Sequence, residues 1–314
     1  MALTGNTFFF GWEVSLMEWL QANLGSGFIG VISFFSAFGE ELVMILLMGF
    51  LYWWYDKEMG KRVGLSVLLG ITWNPMIKNI FMRRRPYFDN ESISILRVVE
   101  PETDIMDISA QGFSFPSGHS TNAVSMYGSL GRELKKKWLT AAALILPLLV
   151  GFSRVTVGAH YPTDVLVGWA LGLVAMLIVP WLQKKLKKDW LLYLVILITV
   201  IPGFFYCRSA DYFTGVGLMV GFMAGSLLEA RKVRFENTRS ALIGVLRLIG
   251  GLALYFIMNK LLKLPFSSEF LDSGSTGALL VRAARYALIA FAEFGVYPML
   301  FPRVEGLIGK KQVK

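Results

Sequence analysis

Residues 115–121 read Phe115-Pro116-Ser117-Gly118-His119-Ser120-Thr121, and they stand where a polar loop gives way to an apolar run. His119 is one of only two histidines in the 314 residues. A proline, then small residues, then an apolar segment describes the start of a helix. Unpaired backbone N–H groups at such a start point toward an anion, and the helix dipole assists. Gly118 lets the backbone come close to a ligand, and Ser117, Ser120 and Thr121 are the capping candidates. His119 beside an anion is placed to hand a proton to a departing oxygen. Taken alone, the stretch reads equally well as ordinary helix capping.

The apolar run after Thr121 belongs to a larger pattern. The chain is 55% hydrophobic and only 17% charged, against roughly 25% charged in soluble domains. Apolar segments of about 20 residues, the length that crosses a bilayer, recur along it. The fold class is therefore an all-α integral membrane protein. Nine spans are expected, near 29–54, 60–82, 117–131, 138–157, 162–182, 190–207, 212–229, 241–261 and 276–301. Ahead of them, residues 8–24 carry Glu13, Glu18, Gln21 and Asn23 among aromatics. That segment reads as an amphipathic helix lying in the interface, with Trp12 and Trp19 at headgroup level. The expected organisation is an interfacial helix over 1–25, a core of about six spans over 26–207, and about three further spans over 208–314.

On such a protein the net charge of +9 reports topology rather than nucleic-acid binding. A single cysteine, Cys207, excludes an internal disulfide and a cysteine metal cluster, and two histidines leave no His-rich metal site. No metal and no cofactor is expected. No Lys or Arg precedes Lys57, so a cleavable signal peptide of the usual kind is not expected either.

One set of connections holds nineteen basic residues: Lys57, Lys61, Arg62; Arg132, Lys135, Lys136, Lys137; Lys184, Lys185, Lys187, Lys188; Arg231, Lys232, Arg234, Arg239; Arg303, Lys310, Lys311 and Lys314. The alternate set holds eight: Arg83, Arg84, Arg85, Arg97, Arg154, Arg208, Lys260 and Lys263. The richer side is expected to be cytoplasmic, which puts the N-terminus outside and the C-terminus inside. Lys78 to Pro86, Ser117, Arg154 and His160 then all lie at span ends on the non-cytoplasmic face.

Three cations at one membrane depth, Lys78, Arg85 and Arg154, repel one another unless an anion sits between them. Arginine offers a planar fork to phosphate oxygens and lysine a point charge. Arg83 and Arg84 read differently, as side chains snorkelling to lipid headgroups. His160 and Asp164 are four apart, on one helical face. An aspartate bonded to one ring nitrogen fixes the tautomer, frees the other nitrogen as a nucleophile and stabilises the imidazolium that forms.

Lys78-x6-Arg85-Pro86, then Pro116-Ser117-Gly118-His119, then Ser153-Arg154-x5-His160-x3-Asp164, resemble the three-part signature of the type 2 phosphatidic acid phosphatase superfamily. All three parts match, in order, and both histidines fall in their slots. The resemblance implies a six-helix phosphatase core near 29–207, with an outline similar to nine-span glucose-6-phosphatases and sphingosine-phosphate phosphatases. It further implies a metal-independent, two-step reaction. His160 attacks phosphorus and becomes phosphohistidine, held ready by Asp164. His119 protonates the leaving alkoxide and then assists the hydrolytic water. Lys78, Arg85, Arg154, Ser117 and the N–H of Gly118 bind the phosphoryl oxygens.

Outside the signature, Glu40 lies near the depth of Lys78, counting up from the cytoplasmic span ends at about 1.5 Å per residue. Glu40 or Glu41 is expected to pair with Lys78 or Arg85. Arg282, Arg285 and Glu293, with Arg247, are expected to form an internal ion-pair network, or else a second anion contact. The acidic loop from Tyr87 to Gly112 is long enough to act as a lid. The expected partner is a lipid-phosphate substrate within membrane lipids, hydrolysed on the non-cytoplasmic face of a bacterial cytoplasmic membrane, or of the endoplasmic reticulum in a eukaryote. A soluble sugar phosphate, transfer of the phosphoryl group to another acceptor, and a non-enzymatic transporter are the competing readings. Vanadium haloperoxidases share the anion site but are soluble.

Overall fold

The computed structural model describes residues 5–98 and 102–303, the Ser109 side chain excepted. Glu100 of the acidic loop and Lys310, Lys311 and Lys314 of the charge count lie outside the described residues. Helices carry the chain: α1 (Gly11–Asn23), α2 (Ser26–Phe34), α3 (Glu41–Gly49), α4 (Lys57–Phe81), α5 (Pro86–Asp89), α6 (Ile108–Gln111), α7 (Gly118–Ala123), α8 (Ser129–Leu134), α9 (Lys137–Thr156) and α10 (Pro162–Leu186). They continue as α11 (Asp189–Val200), α12 (Gly203–Tyr206), α13 (Ala210–Leu228), α14 (Ala241–Leu261), α15 (Ser268–Asp272) and α16 (Thr276–Phe291). Among the described residues no strand forms; Asn6 and Arg83 make one isolated bridge.

Five described helical segments are long and apolar enough to cross a membrane, or six if the bent pair Gly11–Asn23 and Ser26–Gly39 counts as one span. The expected span at 29–54 is not one helix. α2 passes into a tighter turn over Phe35–Gly39, Glu40 is extended, and α3 starts afresh. The close approach explains the break: a Cβ on Gly39 would lie 2.9 Å from the Cβ and carbonyl oxygen of His119. Only glycine lets those two backbones meet.

The chain forms two compact units. The first comprises the chain up to Met44 and Trp73–Ile178, the second Ile45–Thr72 and the chain from Val179 onward. Within the first, α7 lies against α10 at two glycines one turn apart. A Cβ on Gly168 would come within 2.6 Å of the Ser117 carbonyl oxygen, and one on Gly172 within 2.6 Å of the Thr121 carbonyl oxygen. This small-xxx-small spacing is how membrane helices bring their backbones together, because lipid offers no hydrophobic drive between them. Within the second unit the same device joins α13 to α16. Gly217 and Gly221 there face the carbonyls of Ala283 and Ala287.

The α1 helix is docked rather than free. Glu13, Met17 and Leu20, at helical spacing, are buried. Met17 and Leu20 pack with Ile93, Val155, Tyr161 and Val165, while Trp12 and Trp19 stay exposed. Glu13, a residue that makes this segment polar in the sequence, is as fully buried as Met17.

Candidate active site

Four helix ends of the first unit meet. α4 delivers Lys78 in its last turn and Arg83 to Arg85 just beyond it. α7 starts at Gly118 behind the N-cap Ser117, α9 carries Arg154 in its last turn, and Asp164 lies in the first turn of α10. His160 occupies the short turn between α9 and α10, where its N–H donates to the Arg154 carbonyl (3.2 Å). Ser117 N–H donates to the Asp164 carbonyl (2.9 Å), which ties the start of α7 to the start of α10.

Neutral oxygens brace the cations. Arg85 Nε donates to the carbonyls of Gln111 (2.9 Å) and Gly112 (3.0 Å), and its Nη1 to that of Ala159 (3.0 Å). Lys78 Nζ donates to the Phe113 carbonyl (2.9 Å). Arg154 Nη1 donates to Ser36 Oγ (3.2 Å), which in turn lies 2.7 Å from Ser153 Oγ, and Arg154 Nε has no partner among the described residues. Such a buried guanidinium, held only by a hydroxyl, is poised for an anion. Ser117 Oγ accepts from the N–H (3.4 Å) and the hydroxyl (3.0 Å) of Ser120, leaving its own O–H as a donor.

The turn over Phe35–Gly39 closes one side, with Ser36 on Arg154 and Gly39 against His119. Asn122 Nδ2 and Tyr127 OH donate to the Gly39 and Phe38 carbonyls (3.2 and 2.9 Å), pinning that turn to α7 and the turn that follows it. His119 is partly exposed and lies within electrostatic reach of Arg154, Lys78 and Arg85. His160 is 2% exposed. Burial first, then Arg85, Arg154, Lys78 and His119 around it, hold His160 well below the ordinary imidazole range. Near pH 7 it is a neutral imidazole with a free lone pair.

Asp164 does not bond His160 directly. Its Oδ2 lies 3.5 Å from His160 Nδ1, which has no hydrogen-bond partner among the described residues. Oδ2 instead accepts the Tyr161 N–H (2.8 Å), and Oδ1 accepts Arg83 Nη1 (2.7 Å). Arg83 thereby corrects the headgroup reading. It is 1% exposed, and its Nη2 donates to Glu13 Oε2 (2.7 Å). Its guanidinium lies 4.0 Å from the centroid of the Tyr161 ring. Arg84, also expected at headgroups, pairs with Asp89 (3.1 Å).

The reading of Glu40 needs correction too. Glu40 pairs with Arg97 of the long loop, not with Lys78 or Arg85, because the helix break at Gly39 redirects it. Glu41, the first residue of α3, is exposed. Arg97 also donates to the Ser33 carbonyl (2.9 Å), so the loop is strapped to the turn beside His119. No motif marks Arg97 or Glu13 in the sequence; only the buried polarity of α1 was a signal. In the second unit the expected ion-pair network is absent among the described residues. Arg282 donates to Thr214 (2.8 Å) and Arg285 to Asn259 (2.9 Å), neither to Glu293. Arg285 and Glu293 are eight residues apart, about 12 Å along a helix, which is too far for a direct pair.

Several apolar helices make this a multi-pass membrane protein, and at one cluster of its helix ends Lys78, Arg85 and Arg154 surround two histidines. The chain belongs to the PAP2 superfamily: residues 60–188 match that family, and residues 213–310 match its phosphatase transmembrane extension. Curated relatives include an undecaprenyl-diphosphatase of Sulfolobus acidocaldarius, 29% identical over 52% of this chain and 74% of its own length. A phosphatidylglycerophosphatase B of Bacillus subtilis is 40% identical over 24% of this chain and 42% of its own length. A lipid A 4'-phosphatase of Bacteroides thetaiotaomicron is 25% identical over 44% and 64% respectively. No solved structure matches the chain.

Proposed function

We propose that the protein hydrolyses a lipid phosphate or diphosphate on the non-cytoplasmic face of its membrane, through a phosphohistidine at His160. The observation that carries this reading is the gathering of Arg154, Arg85 and Lys78 around His160 and His119 within the first unit. The His160 ring nitrogen forms a bond to phosphorus as the P–O bond to the leaving group breaks, and the leaving oxygen takes a proton from His119. Negative charge on the bound phosphoryl group offsets the three cations and lets His119 hold that proton. Water then attacks phosphorus, gives a proton to His119, and the N–P electron pair returns to His160. Phosphoryl transfer asks mainly for positioning and charge stabilisation, which Arg154, Arg85, Lys78, Ser117 and the Gly118 N–H supply.

A lipid substrate is supported by the rim of the site. Phe115, beside the Pro116-Ser117-Gly118-His119 motif, packs on Phe81 (4.8 Å) and Phe8 (6.4 Å), and Phe8 and Phe81 are exposed. Aromatic rings at such a rim suit acyl or prenyl chains. The relatives' names point the same way, each naming a lipid-linked phosphate. Sidedness is supported by the nineteen-to-eight distribution of basic residues.

Phosphate release from phosphatidate, phosphatidylglycerophosphate, undecaprenyl diphosphate, sphingosine phosphate and glucose 6-phosphate tests the reading. Hydrolysis of at least one lipid, abolished by His160→Ala, is expected. Release from glucose 6-phosphate alone, or full activity of His160→Ala, overturns it.

A further inference from the structure

We propose that Glu13 and Arg83 are positioning residues for the phosphoryl-transfer step: Glu13, reaching in from α1, supplies the negative charge that balances the positive ring formed at His160. The inference rests on His160 being the nucleophile.

The geometry is a closed relay. Glu13 Oε1 accepts the N–H (3.0 Å) and the hydroxyl (2.6 Å) of Thr163, and its Oε2 accepts Arg83 Nη2 (2.7 Å). Glu13 Oε2 also accepts the N–H of Phe10 (2.9 Å), closing the first turn of its own helix. Arg83 Nη1 reaches Thr163 Oγ1 (2.7 Å) and Asp164 Oδ1 (2.7 Å), and its Nε donates to the Phe8 carbonyl (2.8 Å). Tyr161 and Phe8 cover the guanidinium, at 4.0 and 4.9 Å. Glu13 and Asp164 are fully buried.

Charge counting gives this relay a purpose. Glu13, Arg83 and Asp164 together carry one net negative charge. When His160 attacks, its Nε2 lone pair becomes the N–P bond, the P–O electron pair leaves with the oxygen that His119 protonates, and the ring keeps its Nδ1 proton. The ring then carries one positive charge, and the group of four is neutral. Without Glu13, Arg83 cancels Asp164, and the same ring charge stands uncompensated. The strongest other electrostatic influences on His160 are cations and a histidine: Lys78 and Arg85 from α4 and the residues after it, Arg154 from α9, and His119 from α7. A buried arginine bonded to Asp164 alone would weaken the carboxylate the nucleophile needs; sharing it with Glu13 restores that charge.

The test compares Glu13→Gln, which keeps the shape and removes the charge, with Leu20→Ala, which loosens the same helix in its apolar seam. Steady-state hydrolysis of dioctanoyl phosphatidate is measured in detergent alongside single-turnover formation of the phosphoenzyme, with active sites counted by binding of orthovanadate. For Glu13→Gln, kcat per vanadate-binding site should fall roughly 10- to 100-fold with KM changed less than about threefold, the loss lying in formation of the phosphoenzyme. Leu20→Ala should lower the unfolding temperature and leave kcat per site near wild type. An unchanged kcat per site in Glu13→Gln overturns the proposal, as does an equal loss per site in Leu20→Ala. Activity surviving in His160→Ala would instead remove the underlying reading, so the two failures are distinguishable.

Discussion

Both units bury arginines, and they treat them differently. In the second unit Arg247, 5% exposed, donates to the carbonyls of Trp53 (2.6 Å) and Glu236 (3.0 Å) and lies 4.1 Å from the centroid of the Phe301 ring. Arg285 closes on Asn259. In the first unit Arg83, 1% exposed, closes on two carboxylates, whereas Arg154, 2% exposed, has one serine hydroxyl and a guanidinium nitrogen with no partner among the described residues. Depth of burial is the same in all of these. Arg247 Nε and Arg285 Nε also lack a hydrogen-bond partner among the described residues, so an open donor alone does not mark the site. What sets Arg154 apart is its company, with Arg85 and His160 within electrostatic reach.

The comparison can be broken by truncating each cation in turn. Arg154→Ala should lower kcat/KM by about 10²–10³, the usual loss for one donor to a charged transition state. Arg154→Lys should recover little, since a point charge cannot replace the planar fork. Equal activity in both variants and wild type would remove Arg154 from the phosphate site. Arg247→Ala should do the reverse, destabilising by about 1–3 kcal/mol as buried carbonyls lose their donor, with kcat per folded molecule unchanged. Thermal unfolding and a per-molecule rate, measured together, separate the two outcomes.

Packing offers a second comparison. Gly168→Leu forces a side chain onto the Ser117 carbonyl, while Gly221→Leu forces one onto the Ala287 carbonyl. Both overpack and should destabilise by about 1–3 kcal/mol or more. Only Gly168→Leu should also depress kcat in the folded fraction, because only there does the displaced helix carry His119. Similar kcat losses in both would contradict the idea that the seat of α7 on α10 positions His119.

The three signature clusters were legible because catalysis demands particular side chains at particular helix ends, and helix ends are readable from proline, glycine and charge. Glu13 is visible in the sequence only as polarity, which an interfacial helix also carries. Its partner Arg83 lies seventy residues away, and no local spacing connects them. Glu40 departs from its expected place for a different reason: depth counted along an unbroken helix does not hold, because the break comes where Gly39 meets His119, a tertiary contact. The arginines of the second unit donate to carbonyls, an amide oxygen and a hydroxyl rather than to the expected carboxylate. Sequence shows which residues carry charge; it does not show which neutral oxygens surround them.

Two smaller effects sharpen the picture. Glu40→Gln, on a partly exposed pair with Arg97, should change kcat/KM only a few-fold, since such pairs contribute about 0–1 kcal/mol. A hundredfold loss in that variant would mean the loop strap is part of the chemistry. His160 adds a pH term. Its imidazole is held below the unfolded value of about 6.5, so the unfolded chain binds the extra proton. The stability this provides is complete above pH 6.5 and is lost as the pH falls through and below it. Unfolding midpoints between pH 8 and 5 should fall more steeply for wild type than for His160→Gln. Parallel slopes would mean His160 is not held neutral.

The measurement that bears most directly on the site is trapping of the covalent intermediate. Brief reaction with ³²P-labelled phosphatidate or undecaprenyl diphosphate, quenched in alkali and digested, should leave label on the peptide bearing His160. It should leave none in His160→Ala and a longer-lived label in His119→Ala. Label on any other residue, or hydrolysis by His160→Ala at the wild-type rate, would contradict the phosphohistidine route.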